Sequence, residues 1–64
     1  MSNKKRVRVV FPFAVARFDP CTGDWSIHRA GHSYRRISVL NPSEEAAWAD
    51  AWKNIRDTLS TWLR

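Results

Sequence analysis

The sequence predicts an α+β domain: a three-stranded antiparallel meander sheet packed on one face by a single C-terminal helix, in the order β-β-β-α. Three observations predict it. Residues 6–18 are rich in β-branched and aromatic residues, with a period of two from Arg6 to Phe13. Two short turns carrying Pro20, Gly23 and Gly31 cut the next segment into hairpin lengths. An apolar stripe at helical spacing then occupies the C-terminal third.

The first strand is expected in "RVRVVFPFAVARF", where Val7, Val9, Phe11 and Phe13 alternate with Arg6, Arg8, Val10 and Pro12. Pro12 cannot donate to a ladder, so this strand belongs at an edge or bulges there. "DPCTGD" is a turn with a mechanism: Pro20 presets φ at the first corner, and Gly23 is free to adopt positive φ at the close. "WSIHR" gives a short second strand with Trp25 and Ile27 on one face and Ser26 and His28 on the other. "AGH" supplies a second turn, and "SYRRISVL" the third strand. Asn41 as N-cap, Pro42 at the first helical position and Glu44 at the capping-box position predict a helix running to the C-terminus. Its stripe is Trp48, Trp52, Ile55, Leu59 and Trp62, which packs on Val7, Val9, Phe11, Trp25, Ile27, Ile37 and Val39.

A chain of 64 residues is one domain, expected as a flexible basic arm over residues 1–5 and a β-β-β-α body over residues 6–64. The core at this length is marginal, and large aromatics compensate because each buries ~150–250 Å². Four tryptophans, three phenylalanines and a tyrosine are available for that. One cysteine, Cys21, excludes an intramolecular disulfide and points to a reducing cytoplasm. Val7 to Phe18 is broken by Pro12 and Arg17 and does not read as a leader, and no apolar run approaches the ~20 residues that span a bilayer.

The net charge of +5 is unevenly spread. Residues 1–42 hold eight Lys or Arg against Asp19 and Asp24, whereas residues 43–64 hold three against four acids. In the predicted fold the helix covers one face of the sheet and leaves the other open. That open face would carry Arg6, Arg8, His28, Tyr34 and Arg36, with Lys4, Lys5, Arg29 and Arg35 at its rim and no carboxylate among them. Guanidinium forks suit phosphates and the guanine edge, so these nine residues are the expected nucleic-acid-binding set. The predicted architecture is similar to that of integrase arm-binding and AP2-type domains, which lay a sheet in the DNA major groove. The resemblance is one of architecture and transfers no residue.

Other chemistry finds little support. Cys21, His28 and His32 form C-x6-H-x3-H with no second cysteine, short of a four-ligand zinc site. Cys21 lacks the oriented base that a nucleophile needs. Glu44 and Glu45 fit helix capping better than acid–base work. No phosphate-cradling glycine loop is present. The sequence therefore implies no enzyme, cofactor, metal or membrane partner. It implies a nucleic-acid-binding module for duplex DNA, compatible with a homodimer through an edge strand or the Phe18 region. The competing expectation is a small inhibitor or regulator of the kind phages and plasmids encode, docking its basic face on an acidic surface of another protein.

Overall fold

The computed structural model describes residues 2–29 and 36–62, with Trp62 described by its backbone alone. Four elements follow one another: α1 (Asn3–Val10), β1 (Val15–Asp19), β2 (Asp24–His28) and α2 (Glu44–Trp62). The class is α+β, but the expected three-stranded meander is replaced by a two-stranded sheet and an additional N-terminal helix.

The first correction is at the N-terminus, where a helix forms in place of a strand. Ser2 caps it, its hydroxyl accepting from the Lys5 amide at 3.2 Å. Lys and Arg are good helix formers, and they fill half of its eight positions. Pro12 sets the end, because the residue before a proline is pushed out of helical geometry. Phe11 accordingly leaves the helix at φ −125° and ψ 88°. Only Val7 of α1 is buried, whereas Val9 is 73% exposed and Phe13 76%. The valine alternation therefore served no two-faced strand; Val7 joins the core shared with α2, and that packing supports a helix too short to be stable alone. α1 itself starts at Asn3 and runs through residue 5.

β1 and β2 pair antiparallel, from Val15↔His28 to Asp19↔Asp24. The loop between them behaves as its residues require. Asp19 Oδ1 accepts from the Cys21 amide at 2.9 Å, and the Asp19 carbonyl accepts from the Gly23 amide at 2.7 Å. Gly23 sits at φ +74°, a conformation that only glycine adopts without strain.

The second correction concerns the third strand. Of its expected span, residues 33–35 lie outside the described residues. Residues 36–41 follow β2 but pair with it as two isolated bridges, His28↔Arg36 and Trp25↔Asn41, and not as a continuous ladder. Four positions separate Arg36 from Asn41 while two separate Trp25 from His28, so this segment bulges by two residues. Side chains satisfy the backbone that the missing ladder leaves open. Ser38 Oγ accepts from the Ile27 amide at 2.9 Å, Asp50 Oδ2 from the Val39 amide at 2.9 Å, and Asn54 Nδ2 donates to the Ile37 carbonyl at 3.0 Å. Residues 36–41 are thus a strap pinned between β2 and α2.

α2 starts later than its N-cap signal suggests. Ser43 caps it, with the Ala46 amide donating to Ser43 Oγ at 3.1 Å. Glu44 and Glu45 then occupy the first turn, where carboxylates complement the helix dipole. The core joins Val7, Ala14 and Ile27 to Ala47, Trp48, Ala51 and Ile55. Ala47 and Ala51, one turn apart on α2, have no exposed surface, which lets neighbouring chain approach that helix closely.

Candidate nucleic-acid interface

The nine residues expected on one open sheet face are divided by the fold. Lys4, Lys5, Arg6 and Arg8 lie on α1, all exposed. Arg29 and Arg36 flank a groove at the far end of that helix. His28 is interior, at 5% exposure, and shares a 2.9 Å hydrogen bond between its Nε2 and Ser26 Oγ. Tyr34 and Arg35 lie outside the described residues. Ser26 is buried too, so the side of β2 expected to face solvent is covered. The groove-reading sheet, and with it the architectural likeness to sheet-in-groove domains, does not survive this arrangement.

α1 concentrates charge in a different geometry. Four cations occupy the five positions from Lys4 to Arg8, and the helix has no acidic residue. Lys4 and Arg8 are neighbours at i and i+4, with Lys5 beside them. Lys4 sits three residues before the buried Val7 and so reaches α2, where its Nζ lies 5.9 Å from the centroid of the Trp48 ring. At this end a cleft of about 500 Å³ brings Lys4 and Arg6 opposite Glu44 and Glu45. Trp48 Nε1 closes part of that wall by donating to Glu44 Oε1 at 3.5 Å. The cations there face compensating carboxylates. Lys5 and Arg8 line neither that cleft nor the far groove.

The other end carries positive charge with apolar surface. The Arg29 guanidinium stacks over the ring of Phe11, the C-cap of α1, at 4.6 Å. Arg36 lines the same groove, beside Ile37 and Val39 of the strap and Ile55 and Leu59 of α2. The groove measures about 720 Å³ and has no carboxylate among its described lining residues. The sequence reading missed this feature. Its signal was present in the length of the α2 stripe, which continues past Ile55 to Leu59 without a strand or helix of matching length to cover it.

Among the described residues no group of three His, Cys, Asp or Glu side chains converges. Cys21 is exposed in the loop at one end of the hairpin and His28 ends β2 at the other, so the two do not meet. No helix among the described residues is long and apolar enough to cross a membrane. Comparison with protein-family models, with curated proteins and with solved structures finds no match.

Proposed function

We propose that this chain is a non-enzymatic nucleic-acid-binding module that meets duplex DNA with the outer surface of α1. The observation that carries the reading is the run of four exposed cations from Lys4 to Arg8 on a helix with no acid. α1 is roughly 12 Å long at ~1.5 Å per residue, and the major groove admits a helix. Lys5 and Arg8 contact phosphates, exposed Val9 offers an apolar surface to base edges, and Arg29 and Arg36 extend the positive strip beyond the C-cap.

The test is fluorescence anisotropy with labelled duplex, single-stranded DNA and RNA across a salt series. Affinity for duplex should fall steeply with salt, and each lost phosphate contact should reduce the slope of log K against log salt by about 0.9. Arg8→Ala and Lys5→Ala should each do so without changing the circular dichroism spectrum. Binding that is absent, or flat from low to physiological salt, overturns the reading.

A second reading is a small interaction protein that docks on an acidic surface of another protein. It draws on the apolar groove rimmed by the exposed Arg29 and Arg36, because arginines that a partner desolvates beside an apolar pocket are a common form of binding hot spot. Nuclease-treated pull-down separates the two readings. A stoichiometric protein partner that survives nuclease favours the second, and loss of all partners favours the first.

A further inference from the structure

We propose that the groove between the end of α1, the strap and the C-terminal half of α2 docks an acidic amphipathic peptide segment of another protein. The proposal deepens the second reading and rests on it. Apolar side chains of the peptide lie on Val10, Ile37, Val39 and Leu59, and its carboxylates pair with Arg29 and Arg36.

Apolar surface of this kind has a reason to be covered. Leu59 continues the stripe that buries Trp48 and Ile55, yet it is 42% exposed, and Val39 on the facing strap is more exposed still. Laying apolar residues of a partner segment into such a trough is the helix-in-groove mode of recognition. Charge selects the occupant. The described lining holds two guanidiniums and no carboxylate, so an acidic segment is attracted and a basic one repelled. The same charges disfavour a second copy of this chain. Self-association through the groove brings Arg29 and Arg36 of one copy toward those of the other, in a protein of net charge +5. Arg29 is also restrained before binding, because its guanidinium already rests on the Phe11 ring, which reduces the side-chain ordering that docking requires.

The free edge of β1 is a weaker site for a partner. Trp25 and Ile27 direct their backbone groups to the strap, so Ala16 and Phe18 direct theirs to the open edge. Exposed Arg17 lies between them, and a second copy paired about that point would set two arginines opposite each other.

The test is selection of binders to the full chain from a phage-displayed random peptide library, followed by anisotropy with the enriched peptides. The selected peptides should combine Asp or Glu with Leu, Ile or Phe at helical spacing. The double variant Arg29→Ala with Arg36→Ala, and separately Val39→Gln with Leu59→Gln, should each weaken them about tenfold or more. Amide chemical-shift changes should centre on Val39 and Leu59. Acidic peptides whose binding ignores the groove variants, with shifts confined to residues 4–8, overturn the groove and leave the second reading standing. Enriched peptides that are basic, or groove-dependent self-association of the chain, also overturn the groove assignment. Failure to enrich any peptide overturns the groove assignment, and the nuclease-treated pull-down decides the second reading separately.

Discussion

The two halves of α2 are built from one repeating pattern and meet different fates. In the first half Ala47, Trp48 and Ala51 are buried against α1 and the hairpin, and Ile55, just past the midpoint, is the last buried member of the stripe. Beyond Ile55 the same stripe reaches Leu59, which stays exposed. Length explains the difference. Nineteen residues of helix extend ~28 Å at 1.5 Å per residue, whereas α1 covers roughly 12 Å and a five-residue strand about 17 Å. The body is correspondingly elongated, at 39 × 21 × 19 Å. A helix longer than its partners divides into a part that serves folding and an end where apolar surface stays exposed. Charge follows the same division: carboxylates oppose the cations at the packed end, and no carboxylate is among the described residues that line the open end with Arg29 and Arg36.

The sharpest way to break this comparison is to remove a side chain from the packed half. Trp48→Ala deletes an indole that is 4% exposed, and such deletions cost ~3–5 kcal/mol. A single core of this size rarely supplies more than about 3–5 kcal/mol in total. The variant should therefore lose its cooperative thermal transition by circular dichroism. If the transition persists near the wild-type midpoint, the packed half does not carry the fold.

A smaller loss is expected at the strap. Ser38→Ala strands the buried Ile27 amide that the hydroxyl now satisfies, at a cost of ~1–3 kcal/mol. Urea denaturation should show a lower midpoint, and Ser38→Thr should recover most of it. Next comes the hairpin loop, which lies outside the comparison and calibrates it. A Cβ on Gly23 meets nothing within 4 Å, so Gly23→Ala isolates the backbone cost of φ +74°, about 1–2 kcal/mol.

The smallest expected effect on stability lies in the open half. Leu59→Gln should shift folding by no more than about 0.5 kcal/mol, as exposed positions do. The same variant, with Val39→Gln, should nevertheless weaken groove-dependent binding. A large stability loss at Leu59 would show that the open half is structural after all.

Much of the fold was legible where local chemistry is self-sufficient. The Asp19–Asp24 loop has Pro20 and Gly23 where the turn uses them, and β2 has Trp25 and Ile27 on one side. The helix from Glu44 onward carries a 3.6-residue stripe that no strand could present. Legibility failed where one pattern fits two structures. Residues 6–10, with two arginines and three valines, satisfy both a strand and a short helix; the Ser2 cap, Pro12 and the packing of Val7 on α2 decide for the helix. Residues 36–41 have strand composition, but Asp50 and Asn54 of α2 take backbone bonds that a ladder would have used. Both errors moved cations. Arg6 and Arg8 left the sheet for a helix, and the expected basic face dissolved with it.

The sequence by itself determined the charge asymmetry, the hairpin loop and the long amphipathic helix, because each depends on residues close together in the chain. Tertiary structure alone decided where the charges stand and which apolar residues remain exposed. Those outcomes depend on the lengths of elements packed side by side and on hydrogen bonds across 11 or 17 residues, a range over which no local pattern sets the partner.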